Sequence, residues 1–141
     1  MEIAAKAHVQ KRRFIERILS RGKDGPLSVL CMKHDGEAYL RLDKARYLIG
    51  ILGVNEMVQV MTGCQLHESK EALDLALAVV QYMNLKCEIL SERLGLSIVL
   101  EQTPAESTAY RFARLDLKAW PRAAEVVKGD PRSGEVYYTN S

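Results

Sequence analysis

The sequence predicts a helix-rich α/β fold with an incomplete sheet, and three observations lead to this class. Long segments carry apolar residues every three to four positions, which is typical of amphipathic helices. Short apolar runs with β-branched residues lie between them and predict strands. These strands are few and far apart in the sequence, so most of their pairing partners would have to come from elsewhere. We therefore expect residues 1–141 to form a single partial domain of something larger.

The N-terminal part of the chain predicts one helix followed by two extended pieces. Apolar residues at roughly helical spacing predict a helix over residues 3–19, ended by a cluster of glycine and proline. Residues 27–32 are apolar and partly β-branched, and an Asp35-Gly36 turn separates them from residues 39–42. A hairpin or two short extended pieces fit this pattern.

The middle of the chain predicts two helices. Residues 45–61 are apolar almost all round and carry Gly50 and Gly53, where small residues allow another backbone to approach closely. We expect a buried helix there. Residues 68–94 have an apolar stripe at helical spacing and predict a long helix that Gly95 ends.

The C-terminal third predicts a strand, a helix and a further strand. Residues 96–102 are the strand candidate, and residues 107–115 are the next helix. The glycine, proline and aspartate content of residues 129–134 predicts a polar loop. The closing residues 135–141, EVYYTNS, predict the start of a strand that is cut off.

Composition and charge narrow the class of protein. With 141 residues, 48% of them hydrophobic, the chain is long enough for one domain with a hydrophobic core and short for two. The net charge of +2 gives no reason to expect a nucleic-acid or membrane partner. The N-terminal residues lack the apolar stretch of a signal sequence or membrane span. Cys31, Cys64 and Cys87 are odd in number and form no C-x-x-C pair, so we expect a reduced, cytoplasmic chain without disulfides.

A candidate anion site follows the strand predicted over residues 96–102. There the chain passes through a proline and small polar residues into a helix, whose first N–H groups and positive dipole end favour a phosphate. The alternative is an ordinary helix start, with Ser107 or Thr103 as N-cap and the proline near the first turn. The candidate phosphate-binding residues are Thr103, Pro104, Ala105, Glu106, Ser107 and Thr108.

Two carboxylates need an explanation. Glu106 would repel a phosphate unless it points away, caps the helix or accepts a hydrogen bond from a sugar hydroxyl, and the sequence leaves these roles open. Glu56, next to Asn55 in an apolar segment, must be paired, exposed on a helix face or functional.

Metal and nucleophile candidates are weaker. His8, His34 and His67 are scattered, and His67 near Cys64 gives at most a partial ligand set without a fixed spacing. Cys64 has no positively charged neighbour in sequence, so a plain thiol is expected there rather than a nucleophile. We predict no metal site and no catalytic residue in this chain.

Three stretches together resemble one enzyme family. RLDKARYLIGILGVNEMVQVMTG, EQTPAESTAYRFARLD and GEVYYTNS are similar, in order and spacing, to the catalytic subunit of the anaerobic, class III, glycyl-radical ribonucleoside-triphosphate reductases. The resemblance covers essentially the whole chain. It implies that residues 103–108 correspond to a strand-to-helix loop that holds the phosphates of a ribonucleoside triphosphate through backbone amides.

The resemblance also implies the architecture and chemistry of a complete enzyme. The family has a ten-stranded α/β barrel in which a glycyl radical generates a thiyl radical on a finger-loop cysteine, leading to 2′-deoxygenation of the ribonucleotide. The thiyl cysteine lies before the matched region, and the structural zinc site and the radical glycine lie after it. A radical-SAM enzyme activates the family's enzymes. Cys31, Cys64 and Cys87 do not align with the thiyl position.

Two functional hypotheses remain open from the sequence. The first is a part of an anaerobic reductase that depends on the remaining reductase segments or chains and is inactive alone. The second is a non-catalytic nucleotide-binding or interaction module derived from that barrel. A split enzyme would present unpaired strand edges, whereas a module would fold cooperatively as a monomer.

Overall fold

The structure is a computed structural model that describes residues 1–102 and 104–139. Within these residues the α-helices are α1 (Glu2–Leu19), α2 (Val54–Thr62), α3 (Lys70–Leu94) and α4 (Glu106–Ala119). Short 3₁₀ turns cover Gly22–Asp24, Ser28–Cys31 and Pro121–Glu125. The strands are β1 (Lys33–His34), β2 (Glu37–Ala38), β3 (Arg46–Ile51), β4 (Ser97–Gln102), β5 (Lys128–Asp130) and β6 (Glu135–Tyr137).

The strands of the described residues pair as three separate two-stranded sheets, β1–β2, β3–β4 and β5–β6. This confirms a mixed, helix-rich α/β class. The described residues do not form a barrel, so the ten-stranded barrel stays a statement about a complete enzyme. The chain divides into two compact units, one of Met1–Ile49 with Leu85–Val99, the other of Gly50–Asn84 with the described residues from Leu100 onward.

In the first unit the predicted N-terminal helix is confirmed as α1. Ala5 is fully buried, while Arg12 pairs with Glu16 one turn later at 2.8 Å and donates to the Gly95 carbonyl at 3.2 Å. Arg93 near the end of α3 pairs with Glu2 at the start of α1. These contacts fasten α1 to the end of the long helix.

The predicted hairpin in this unit is shorter than expected. Lys33 pairs with Ala38 and His34 with Glu37, with the turn at Asp35 and Gly36, both at positive φ. The prediction of an extended segment over residues 27–32 is wrong, because Ser28–Cys31 form a 3₁₀ turn there. The periodicity of so short an apolar run does not distinguish an extended strand from a helical turn.

The prediction of one helix over residues 45–61 is also wrong. The segment begins as strand β3, in which Tyr47 and Ile49 are buried and Arg46, Leu48 and Gly50 are exposed. Gly53 then adopts a left-handed conformation, φ 76°, and serves as the N-cap of α2. The run is apolar on both strand faces, so its sequence pattern does not distinguish a helix from a strand. The left-handed conformation of Gly53 is what separates strand β3 from helix α2.

In the second unit, one core cluster joins α2 to α3. Val58 and Ala72 are fully buried there, and Ala76 is nearly so. The predicted long helix is confirmed as α3, which starts two residues later than expected and ends before Gly95 at φ 62°.

A second cluster packs the β5–β6 hairpin on α4. Ala113 of α4 and Val136 of β6 are fully buried, and Val127 lies beside them. The predicted loop over residues 129–134 is partly strand, since Gly129 pairs with Val136 and Asp130 with Glu135. The strand expected in EVYYTNS is confirmed for Glu135–Tyr137, while Asn140 and Ser141 lie outside the described residues.

Candidate functional site

The N-terminus of α4 is the first element of the candidate site. Ala105 is the N-cap, and its carbonyl accepts the first helical hydrogen bond from the Ala109 N–H at 2.8 Å. An alanine side chain has no acceptor, so the N-cap contributes nothing to the N–H groups of the first turn. The N-cap side chain therefore leaves these donors without a cap of its own.

The structure places most of the predicted phosphate-binding residues around this end. Pro104, Glu106 and Ser107 are exposed, whereas Ala105 and Thr108 are half-buried. Thr103 lies outside the described residues. Ser107 is the second residue of α4, so the alternative in which Ser107 is the N-cap is wrong. Glu106 begins the helix and is exposed, in a position where a carboxylate interacts favourably with the helix dipole.

A cleft of about 580 Å³ adjoins this helix end. Ala105 and Thr108 line it, so two of the predicted residues face a space of the size that small-molecule sites have. The rest of the wall is mainly apolar and consists of Gly50, Ile51, Leu52, Gly53, Val54, Met57, Val79, Met83 and Phe112.

Glu56 answers the question that its apolar surroundings raised: it is buried and paired. Only 3% of the residue is exposed. Its Oε1 accepts from the Thr139 N–H at 3.2 Å, and its Oε2 accepts from the Thr139 hydroxyl at 2.9 Å. The Gly53 N–H donates in turn to the Thr139 carbonyl at 2.8 Å. The start of α2 thus binds the segment that follows β6 through the Gly53 N–H and through the Glu56 carboxylate.

Asn55 is likewise paired, in a polar network beside Glu56. Its Oδ1 accepts from the Leu66 N–H at 3.0 Å, and its Nδ2 donates to Gln65 Oε1 at 3.1 Å. Lys128 Nζ donates to Gln65 at 3.0 Å and to Gln59 at 3.2 Å. The network connects α2 to β5 and explains how polar groups are accommodated in an apolar segment.

Tyr138 and Asp116 form the next pair along the chain. The Tyr138 hydroxyl donates to Asp116 Oδ2 at 2.7 Å, and the Tyr138 N–H donates to the Ala109 carbonyl at 3.4 Å. Burial, followed by the hydrogen bond to Asp116, raises the pKa of Tyr138 above its ordinary value. The hydroxyl therefore stays protonated and remains a donor.

This raised pKa predicts a loss of stability in alkali. The unfolded tyrosine ionises near pH ~10 while the folded one holds its proton, so deprotonation favours unfolding. The contribution of Tyr138 is complete below that pH and is lost as the pH rises through the folded pKa. We expect the melting temperature to fall as the pH rises above about 10, and to fall less steeply in Tyr138→Phe. Equal slopes for the two proteins would contradict the assignment.

A second cleft, of about 530 Å³, carries these polar groups on its wall. Glu56, Asp116 and Tyr138 line it. It shares Leu52, Gly53, Met57 and Phe112 with the cleft at the start of α4. The two clefts therefore adjoin within the second unit, with the α4 N-terminus at one end and the hydrogen-bonded carboxylates at the other.

The comparison with protein families settles what kind of chain carries this site. The family described as anaerobic ribonucleoside-triphosphate reductase matches residues 1–141, the whole sequence. The chain belongs to this family. The resemblance of the three sequence stretches is thereby confirmed. No curated protein matches the chain.

Other candidates in this reductase chain are not among the lining residues of the clefts. His8 Nε2 donates to the Leu48 carbonyl at 2.9 Å, and His34 contacts Asp35 on the surface. Among residues 1–102 and 104–139, no three His, Cys, Asp or Glu side chains come together as metal ligands. Burial raises the pKa of Cys87, which lowers its thiolate fraction. No helix in the described part of the chain is long and apolar enough to cross a membrane.

Sequence reasoning missed Asp116 and Tyr138, which line the second cleft of the candidate site. One signal was present: Thr108, Phe112 and Asp116 are spaced four residues apart, which places them on one face of a helix. The contribution of Tyr138 needed the fold, because 22 residues separate it from Asp116.

Proposed function

We propose that this chain contributes the substrate-phosphate-binding loop of an anaerobic ribonucleoside-triphosphate reductase. The backbone N–H groups at the start of α4 would bind the phosphates, assisted by the Ser107 and Thr108 hydroxyls. The observation that carries the proposal is a helix start whose N-cap, Ala105, has no side-chain acceptor, at the edge of a cleft with Ala105 and Thr108 on its wall. Amide donors and the positive dipole end are the standard means of binding phosphate there.

The energetics require the rest of the enzyme. Two or three charge-assisted hydrogen bonds contribute about 1.5–3 kcal/mol each, against an association cost of about 4–15 kcal/mol. The loop by itself would therefore bind a nucleotide at millimolar strength or not at all. The remaining reductase segments would supply the other contacts and complete the ten-stranded barrel.

The radical chemistry belongs to other parts of the complete enzyme. In this proposal the glycyl radical supplies the hydrogen-abstracting chemistry, a radical-SAM enzyme installs it, and a structural zinc lies outside the residues described here. The described residues do not fit a zinc site, since they bring no three ligand side chains together. The chain's own contribution is to hold and orient the triphosphate, in a cytoplasmic enzyme.

The proposal is tested by blocking the helix start. The double substitution of Ser107→Leu and Thr108→Leu removes two hydroxyl donors and places bulky side chains near the N–H groups. We expect triphosphate binding to the assembled enzyme to weaken about tenfold or more, because at least one charge-assisted bond is lost. Equilibrium dialysis with labelled CTP and with inorganic tripolyphosphate measures the effect. Unchanged affinity for both ligands would refute the phosphate assignment.

Glu106→Gln is the matched control in the same helical turn. It removes a negative charge beside the proposed phosphate without adding bulk, so binding should stay constant or tighten by a few fold. A marked weakening would instead assign Glu106 to a hydroxyl of the sugar, the other role that the sequence left open.

A further inference from the structure

The exposed side of α4 carries three cations without an acidic partner. Ala109 and Ala113 form the buried side of this helix, and Ala113 packs on the β5–β6 hairpin. On the other side Arg111, Arg114 and Lys118 are exposed and follow one another at helical spacing. In the described part of the chain, no carboxylate forms an ion pair with any of the three. Their charges are therefore available to a partner from outside.

The helix dipole accounts for only one of these charges. Lys118 lies in the last turn of α4, where a cation stabilises the helix. Arg111 and Arg114 lie between the first and the last turn, where the dipole has little effect. The stability of α4 therefore does not explain why the three cations are grouped.

Aromatic rings hold both guanidinium groups in place. Arg114 Cζ lies 5.3 Å from the centre of the Tyr110 ring, and Arg114 Nη1 donates to the Tyr110 hydroxyl at 3.1 Å. Arg111 Cζ lies 5.4 Å from the centre of the Phe112 ring. A guanidinium group that is already ordered loses less conformational freedom when it binds a partner. Arginine and tyrosine are also enriched among the residues that contribute most to protein–protein binding.

Apolar side chains lie among these charges. A depression of about 200 Å³ in the surface of α4 is lined by Tyr110, Arg111, Arg114, Leu115 and Lys118, which we call the basic face. Leu115 is 52% exposed and Tyr110 42%. The depression is smaller than the roughly 300 Å³ at which small-molecule sites begin, so it suits a side chain of a macromolecule better than a nucleotide. Leu115 offers an apolar contact that a phosphate chain could not use.

We propose that the basic face is a docking surface for an acidic protein segment, whose carboxylates pair with the three cations while an apolar side chain packs on Leu115. Carboxylates match the guanidinium group in geometry and accept two parallel hydrogen bonds from it. The net charge of +2 gives the chain no general attraction to nucleic acid, which favours a protein partner. The inference is independent of the phosphate assignment, because the first turn of α4 does not line this depression.

The test measures the binding of labelled peptides to the full 141-residue chain by fluorescence anisotropy. One peptide repeats the unit glutamate-leucine-glutamate, and the other repeats glutamine-leucine-glutamine. We expect the acidic peptide to bind about tenfold more tightly than the neutral one and to lose affinity as the salt concentration rises. The double substitution of Arg114→Glu and Lys118→Glu should weaken its binding about tenfold or more, because repulsion replaces attraction. Equal binding of the two peptides, or undiminished binding by the double variant, would overturn the proposal.

The matched control is a double charge reversal outside the basic face. Lys23→Glu with Arg132→Glu, both at exposed positions, changes the net charge by the same amount. It should leave the affinity for the acidic peptide within about twofold, because salt screens distant charges. A loss as large as that of the basic-face variant would reduce the effect to net charge and overturn the assignment of a specific surface.

Leu115→Gln is a second test variant, which keeps every charge and a similar helix propensity. It should weaken binding of the acidic peptide about threefold or more through the lost apolar contact, and leave any binding of inorganic tripolyphosphate unchanged. Tighter binding of tripolyphosphate than of the peptide, with no effect of Leu115→Gln on the peptide, would replace the protein partner by a phosphate ligand. A dimer of the wild-type chain that the double charge reversal on α4 dissociates, seen by sedimentation, would overturn the proposal in favour of a second copy of the chain.

Discussion

Replacing Glu56 with methionine is expected to lower the free energy of unfolding by about 2–4 kcal/mol. Methionine keeps the length and the helix propensity of the side chain but removes the two carboxylate oxygens that accept from Thr139. Hydrogen bonds to a charged group contribute about 1.5–3 kcal/mol each, and this change removes two of them at a half-buried position. Denaturant unfolding of the chain measures the loss. Glu88→Met, at an exposed position of α3, is the control and should change stability by less than about 0.5 kcal/mol.

A double-mutant cycle separates this pairing from a general effect of removing charge. Thr139→Val removes the hydroxyl that donates to Glu56 Oε2 at 2.9 Å and keeps the side-chain shape. In the Glu56→Met background the same substitution should cost less than in the wild type, with a coupling energy of about 1 kcal/mol. Strictly additive effects would contradict a direct bond between the two residues.

The helices were predictable because each carries its own signal. α1 and α3 have apolar residues at helical spacing and glycines shortly after their ends, so both were predicted within two residues. Residues 45–61 failed because apolar side chains occupy nearly every position there. Only the fold distinguishes the alternating burial of Tyr47 and Ile49 in β3 from the helical burial in α2.

The sequence predicted only the part of the candidate site that residues close together in the chain form. The helix start at residues 104–108 was found because proline and small polar residues precede a helical pattern. The pairing of Glu56 with Thr139 joins residues 83 positions apart, and no spacing rule reaches that far. The sequence identified Glu56 as an anomaly because a buried carboxylate requires partners, but the partner came from the fold.

The hairpin that carries Tyr138 and Thr139 to the site depends on Gly129. A Cβ atom at this position would lie 2.0 Å from the Glu135 carbonyl oxygen, and the backbone has φ 92°, in the left-handed region. Because the obstacle is main chain, no side-chain rotation relieves it. The two strands would have to separate, although Val136 opposite Gly129 is fully buried against α4.

Gly129→Ala is therefore expected to lower the free energy of unfolding by about 3 kcal/mol or more, combining the clash with the left-handed cost of about 1–2 kcal/mol. Gly134→Ala is the matched control in the same hairpin. It has φ 77°, but nothing lies within 4 Å of its Cβ position, so only the conformational cost of about 1–2 kcal/mol applies. The difference between the two variants in denaturant unfolding isolates the close approach of the strands. Equal losses would mean that β5 and β6 do not pair through Gly129 and Val136, and that Tyr138 is brought to Asp116 by some other arrangement of the chain.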